Sequence, residues 1–319
     1  MNIVVLDGYT LNPGDNPWDL VEALGNLTVY DRTPSERVVE RAYDADVVLS
    51  NKTPITREAI EELPKLKFIG VLATGYDVID VSAARERDID VSNVPVYGTD
   101  SVAEYVYSLV LNHFRRPVFH SEQVRSGEWQ RAGDFSFWRT PLAELAGKTI
   151  GIVGFGRIGQ RVGEVARSFK MSVIAFDVVH AAAPNYEFEW HDLESLARQS
   201  DIVTLHCKQT TENTGMINFD FLSKMKLTTF FVNTARGGLV VEADLARALN
   251  EGIIGGAAVD VVSEEPIKAE NPLLSAKNVI VTPHIAWATL EARRRLMQTT
   301  AENILAFQDG APQNVVNAG

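Results

Sequence analysis

The sequence predicts an α/β protein built on two doubly wound parallel sheets. Three observations predict it. Short apolar runs alternate with helical patterns along most of the chain. That alternation is interrupted once, by a long amphipathic pattern starting at Ser101, and then begins again. The length, 319 residues, is about twice the ~150 residues of an ordinary domain. Apolar runs separated by helices read as βαβ units, whose strands lie parallel and whose helices cover both faces.

The elements follow in order. Residues 3–6 form the first strand, followed by a helix around 17–24, a strand at 28–30 and a helix near 35–42. Strands at 47–49, 68–71 and 89–91 continue the series. From Ser101, apolar residues at Val102, Tyr105, Val106, Leu109 and Val110 recur at helical spacing, and Pro117 closes that helix. Residues 118–141 hold Trp129, Phe135, Phe137 and Trp138 without a clear period. The second series supplies strands at 149–153, 172–176, 202–205, 230–232, 256–259 and 279–281. Residues 287–307 are one long helical pattern, and GAPQNVVNAG is a polar end. Crossovers near 97–101 and 284–289 would return the last helix to the first unit. The expected domains are therefore 1–98 plus 287–319, and an inserted 99–286.

Composition bounds the function. Thirty Lys and Arg against 42 Asp and Glu give a net charge of −12. That balance argues against nucleic acid as a partner, so any anion site must be local, made from a few cations or backbone N–H dipoles. Hydrophobic residues at 45% and charged residues at 23% fit a folded globular chain rather than a disordered one. The apolar runs fall far short of the ~20 residues that span a bilayer, so no membrane is expected. Cys207 is the single cysteine, which leaves no intrachain disulfide and no sign of an oxidising compartment. The start, MNIVVLDGY, lacks a basic leader and reads as a strand, so a cytoplasmic protein is expected. The histidines at 113, 120, 180, 191, 206 and 284 show no paired ligand spacing, and no metal is expected. Arg115-Arg116 and Arg293-Arg294-Arg295 read as solvated faces or interface salt bridges.

The strongest local signal lies between Lys148 and Asp177. Gly154, Gly156 and Gly159 form G-x-G-x-x-G directly after an apolar strand, and Ile158, Val162, Val165 and Phe169 follow at helical spacing. The first glycine allows the tight turn, the second lets backbone approach a pyrophosphate, and the third lets helix and strand pack closely. The free N–H groups of the helix start then meet the anion. Asp177 stands 18 residues after Gly159, closing the second strand, where a carboxylate binds the adenosine ribose hydroxyls. That carboxylate repels a 2′-phosphate, and Val178, Val179 and His180 supply no arginine to hold one, so NAD is favoured over NADP. The fold expected is thus two doubly wound Rossmann-like parallel-sheet domains, the second inserted in the first.

With this fingerprint come NTARGGLVVE, VDVVSEEP and TPHIAWAT, in that order. Together they resemble the D-isomer-specific 2-hydroxyacid dehydrogenases over essentially the whole chain. The resemblance implies a substrate domain first, an inserted dinucleotide domain and a returning last helix. It also implies a catalytic set of Arg236, Glu265 and His284. The residue types suit the chemistry of a 2-oxo acid. An imidazole gives a proton to the developing alkoxide. A neighbouring carboxylate favours the imidazolium and orients the ring. A guanidinium clamps the substrate carboxylate and polarises the ketone. Read without the resemblance, His284 is a loop or core histidine, Glu265 a surface carboxylate beside Glu264, and Arg236 an ordinary salt-bridging arginine. The position of His284 and Arg236 at strand carboxyl ends favours the functional readings.

Other positions carry over by the same resemblance. Arg157 and Ile158 belong to the dinucleotide loop, His206 and Cys207 to the adenine-flanking loop, and Thr234, Ala235 and Asp260 to the nicotinamide end. Val102 and Glu104 resemble the segment flanking that ring. Residues 71–77, VLATGYD, resemble the loop that holds a substrate carboxylate by backbone N–H groups, here Ala73, Thr74 and Gly75; a plain strand-to-helix turn is the other reading. Lys52, next to Asn51, is either a cation at the substrate mouth or a solvated lysine. Trp287 either faces the substrate or is a packed aromatic. Lys208 departs from the family, where proline is usual, and adds a positive charge near the adenosine site. Cys207 reads as a buried, inert thiol.

SNKTPIT, TGYDVID and HIAWA are most similar to the branch that acts as glycerate dehydrogenase/hydroxypyruvate reductase. The implied activity is NAD(H)-dependent reduction of hydroxypyruvate or glyoxylate to D-glycerate or glycolate, in a homodimer assembled through residues 101–141. The alternatives are a short phosphoglycerate dehydrogenase, another 2-oxo-acid reductase, and a dinucleotide-sensing corepressor-like binding protein. The chain is too short to carry the C-terminal regulatory domain of the long phosphoglycerate dehydrogenases, and Glu265 stands where formate dehydrogenases carry glutamine.

Overall fold

The computed structural model describes residues 1–180 and 182–318. In chain order the first unit supplies strands β1 (Asn2–Val5), β2 (Asn26–Val29), β3 (Val47–Ser50), β4 (Phe68–Val71) and β5 (Asp90–Ser92). Between them lie helices α1 (Asp19–Glu22), α2 (Val38–Ala42), α3 (Arg57–Glu61) and α4 (Val81–Glu86). Then follow α5 (Thr99–Arg115), α6 (Pro117–Arg125) and α7 (Glu128–Ala132). The second series holds β6 (Thr149–Val153), α8 (Arg157–Ser168), β7 (Ser172–Phe176), β8 (Glu189–Trp190), α9 (Leu193–Gln199) and β9 (Ile202–Leu205). It continues with α10 (Phe219–Ser223), β10 (Phe230–Asn233), α11 (Glu242–Glu251), β11 (Gly256–Val259) and β12 (Val279–Val281). The last helix is α12 (Leu290–Gln308). Two compact units result: Met1–Gly98 with Ala288–Gly319, and Thr99–Trp287.

Both sheets are wholly parallel. The first runs β2-β1-β3-β4-β5 and the second β12-β11-β10-β9-β6-β7-β8. These are doubly wound orders, each with a point where the strand order reverses and crevices form at the carboxyl ends. In the first unit that point lies between β1 and β3; in the second it lies between β6 and β9. Interior strands β3, β4, β9, β10 and β11 are buried at every residue, because a parallel strand is covered on both faces. The outer strands β2 and β12 are only partly covered.

Capping explains where several helices begin. Thr56, Asp80, Asp192, Asn218 and Thr289 accept from the third backbone N–H beyond them, starting α3, α4, α9, α10 and α12. At α8 the cap position is Gly156, and among the described residues no side chain caps it.

Several expectations are corrected. The helix beginning at Thr99 ends at Arg115, but Pro117 opens a new helix instead of closing the pattern: Arg116 takes a left-handed φ of 44° and α6 starts with Pro117. The aromatic stretch therefore holds two short helices before it turns irregular. On α5, Tyr105 packs half-buried against the core, and Tyr107, which the spacing did not single out, is buried beside it, its hydroxyl donating to Val162 O at 2.8 Å. The polar tail is bound down: Val316 N donates to Val91 O at 2.8 Å, and the Asn317 side chain pairs with Val91 N and Ile89 O. Arg293 does not lie on a solvated face. It is 7% exposed and forms a bidentate pair with Asp15 at 2.6 and 2.7 Å, which lowers the Asp15 pKa. Among the described residues no helix is long and apolar enough to cross a membrane.

Candidate active site

In the second unit, the loop after β6 is shaped by what its glycines exclude. Gly154 has φ +93°, and a Cβ there would collide with the backbone of His206 and Cys207, which follow β9. The turn thus sits at the reversal point of the sheet, pressed against its neighbour. A Cβ on Gly159 would meet Gly154 O, so α8 packs tightly on β6. At Gly156 a Cβ would meet nothing within 4 Å among the described residues. That open space lies beside the uncapped N-terminus of α8, where Arg157 and Ile158 begin the helix.

Asp177 closes β7. Its Oδ2 accepts from Phe155 N at 2.6 Å and its Oδ1 from Val179 N at 3.2 Å, so the carboxylate also holds the glycine loop in shape. His206 N donates to Val153 O at 2.7 Å, and its ring faces Thr204 Oγ1 at 3.0 Å. Burial lowers the His206 pKa to about 3, so the ring is neutral at pH 7. Burial likewise raises the Cys207 thiol to about 11, with the Asp177 charge adding to it, which keeps the sulfur protonated and inert.

Three loops then meet at the carboxyl ends of β10, β11 and β12. Asn233, fully buried, accepts from Ala235 N at 3.0 Å and donates to Arg236 O at 2.9 Å, folding residues 234–236 into a turn. The Arg236 guanidinium donates to Ala235 O at 2.8 Å. A Cβ on Gly237 would collide with the backbone of Val262 and Ser263, so this glycine presses the arginine loop against the loop carrying Glu265. Glu242 steadies that second loop by accepting from Ser263 and Asn271.

Asp260 controls the third loop. It is 1% exposed and accepts from Thr282 Oγ1 at 2.7 Å, Ile285 N at 3.0 Å and Ala286 N at 2.8 Å. Its own carbonyl accepts from His284 N at 2.7 Å. The chain around His284, whose φ is +56°, is thus wrapped on one carboxylate. The ring that results lies with Nδ1 2.7 Å from Glu265 Oε2. Trp287 is tied to the same loop, its indole N–H donating to His284 O at 3.0 Å. Among the described residues no group of three His, Cys, Asp or Glu could hold a metal ion.

Residues 107–286 match the family model described as D-isomer specific 2-hydroxyacid dehydrogenase, NAD binding domain. The chain belongs to this family. A hydroxypyruvate reductase of Blautia hydrogenotrophica is 48% identical over 99% of this chain and 100% of its own length. A glycerate dehydrogenase of Methylorubrum extorquens is 42% identical over 90% of each. Among solved structures, a D-lactate dehydrogenase from Aquifex aeolicus complexed with NAD and lactic acid superposes with a TM-score of 0.84 at 27% identity, covering all of both chains.

The dehydrogenase is an NAD-dependent oxidoreductase, and its second unit suits the dinucleotide. The open space at Gly156, at the start of α8, fits a pyrophosphate, and Asp177 fits ribose hydroxyls. Thr234 Oγ1 is buried with no hydrogen-bond partner among the described residues, at the strand end where a carboxamide would need polar company. Sequence reasoning did not find Asn233 or Glu242. Both act through backbone groups of a neighbouring loop, which no spacing rule reports.

In the first unit of the dehydrogenase, Asp7 lies just beyond β1. Its Oδ1 accepts from Asn51 N at 2.8 Å, and its Oδ2 from Lys52 N at 2.5 Å and Thr53 N at 2.7 Å. Lys52 is therefore held by its backbone. After β4, Ala73 and Thr74 are pinned to the end of β5: Val94 N donates to Ala73 O at 3.0 Å, and Thr74 Oγ1 donates to Val94 O at 2.9 Å. Gly75 continues the same loop.

Proposed function

We propose that this dehydrogenase reduces hydroxypyruvate and glyoxylate to D-glycerate and glycolate, with NADH preferred to NADPH. The observation that carries the reading is the 2.7 Å pair between His284 Nδ1 and Glu265 Oε2. The named relatives at 48% and 42% identity support the substrate class. With Nδ1 held by the carboxylate, Nε2 is the nitrogen left to move a proton.

Residues 1–98 plus 287–319 form the substrate domain in this reading, and 99–286 the dinucleotide domain. Gly154, Gly156, Arg157, Ile158 and Gly159 hold the pyrophosphate, and Asp177 the ribose. His206 and Cys207 flank the adenine, while Thr234, Ala235 and Asp260 receive the nicotinamide end. When bound, the reduced cofactor supplies the hydride that converts the ketone carbon to a carbinol. His284 gives the ketone oxygen its proton and Glu265 fixes the ring. Arg236 binds the substrate carboxylate and polarises the ketone. In the first unit, taken by itself, carboxylate binding is assigned to the backbone N–H groups of Ala73, Thr74 and Gly75, with Lys52 adding positive charge; in the second, Trp287 bounds the substrate. The enzyme works in the cytoplasm as a homodimer assembled through residues 101–141, where Phe135 and Trp138 are 92% and 64% exposed.

A panel of 2-oxo acids with NADH and NADPH tests the reading. The highest kcat/KM is expected with hydroxypyruvate or glyoxylate and NADH. A preference for bulky 2-oxo acids, or dinucleotide binding without turnover of any 2-oxo acid, overturns it.

A further inference from the structure

We infer that two buried asparagines are positioning residues: Asn51 fixes the base of the loop after β4, and Asn93 turns the N–H groups of Thr74 and Gly75 toward the substrate carboxylate. The inference rests on the proposed function and adds how that loop is aimed. Asn51 is 6% exposed and Asn93 7%. The Asn51 side-chain amide donates to Leu72 O at 2.6 Å. The Asn93 side-chain amide donates to Thr74 O at 2.7 Å. Between them, Val94 N donates to Ala73 O at 3.0 Å. Three successive carbonyls, those of residues 72, 73 and 74, are therefore each held by a donor.

Peptide geometry converts this into a direction. In a planar trans peptide the C=O of one residue and the N–H of the next point opposite ways. Asn51 follows β3 while Asn93 and Val94 follow β5, on opposite sides of β4. The Leu72 carbonyl is therefore held toward one side and the Ala73 and Thr74 carbonyls toward the other. The N–H groups of Thr74 and Gly75 are thereby turned together away from the β5 side. Successive backbone N–H groups freed in this way make an anion-binding concavity. The Thr74 carbonyl depends on the Asn93 side chain and the base of the loop on the Asn51 side chain, so two side chains set the direction of backbone donors.

Both asparagines are themselves fixed. Asn51 N donates to the Asp7 carboxylate at 2.8 Å. Asn93 N donates to Asn314 O at 3.1 Å, and the Asn303 amide donates to Asn93 O at 2.9 Å. The aim of the loop is thus anchored to β1 on one side and to α12 and the tail on the other.

The experiment compares Asn51→Ala and Asn93→Ala with wild type in steady-state reduction of hydroxypyruvate. A general folding defect lowers kcat and NADH binding together. The positioning role instead raises KM for hydroxypyruvate at least about 10-fold, with kcat within about 3-fold and KM for NADH unchanged. Competitive inhibition by acetate, a carboxylate with no ketone, weakens in parallel. If an alanine variant does not fold, Asn51→Leu and Asn93→Leu keep the size, remove the donor without adding charge and are read the same way. Folded variants with unchanged KM for hydroxypyruvate overturn the inference alone. A wild type that reduces no 2-oxo acid overturns the proposed function and the inference with it.

Discussion

The two sheets reverse their strand order at equivalent points and treat those points in opposite ways. In the second unit, Gly154 and Gly159 let the loop after β6 pack closely while Gly156 leaves open space, and among the described residues no side chain caps the helix that starts there. In the first unit, the crevice between β1 and β3 is closed by the chain's own carboxylate: Asp7 takes the N–H groups of Asn51, Lys52 and Thr53. The same doubly wound geometry thus leaves open space at Gly156 in one unit and forms an internal anchor in the other. What decides between them is residue choice at one strand end, glycine after β6 and aspartate after β1. The fold provides the crevice; the side chains determine whether a ligand enters it.

The largest expected effect tests whether chemistry belongs to the open unit. His284→Ala should lower kcat by roughly 10²–10⁴-fold, the usual worth of a positioned acid/base. NADH binding, followed by fluorescence titration, should persist. Near-normal turnover would remove the proton-donor role and leave the open crevice a binding site alone.

The next effect tests whether the crevice is open for a ligand. Gly156→Val places its Cβ where nothing beyond the chain neighbours lies within 4 Å among the described residues, and the extended backbone there accepts it without strain. Thermal stability should hold, while NADH affinity falls about 100-fold, or ~2.7 kcal/mol. Loss of stability with affinity intact would show that the space belongs to packing rather than to a pyrophosphate.

The closed crevice is tested by reopening it. Asp7→Ala leaves three backbone donors without their acceptor and should cost about 2 kcal/mol in urea unfolding. Formate at high concentration should recover part of that stability in the variant and none in wild type. A variant that formate does not stabilise would show that the three N–H groups cannot hold an anion without the covalent tether.

How far the sequence announces this contrast follows from how each feature is encoded. Parallel strands buried on both faces produce unbroken apolar runs, so nearly every strand is readable; β8, two residues at an edge, is the exception. The open crevice is readable because its glycines fall at fixed offsets after a strand. The closed one is not, because Asp7 meets its partners 44 to 46 residues away through backbone N–H groups that any residue carries. The grip of Asp260 on the His284 loop and the hold of Asn317 on β5, 226 residues apart, escape for the same reason. The pairing of His284 with Glu265 is suggested by ordered motifs and not by any local period. Residues 118–141 lack a period because α6 and α7 are too short to repeat one.

The smallest effect separates the units by acid. All six histidines, at 113, 120, 180, 191, 206 and 284, fall in the second unit, and the first has none. Within it, His113 stacks on Phe230 at 4.0 Å, and burial, reinforced by the Arg116 charge, lowers its pKa to about 4. His206 is lowered to about 3 by burial. An unfolded imidazole takes its proton near pH 6.5, before the folded one does, so acid favours the unfolded state. Stability is full above about pH 6.5 and is withdrawn as pH falls toward the folded values. From pH 6.5 to 5, His113 should withdraw about 1.5 kcal/mol, at ~1.4 kcal/mol per unit of separation and allowing for its incomplete burial. Urea unfolding across this range should therefore fall less steeply in His113→Gln than in wild type. Equal slopes would mean that the imidazole is solvated when folded, and that the acid response of the second unit comes from elsewhere.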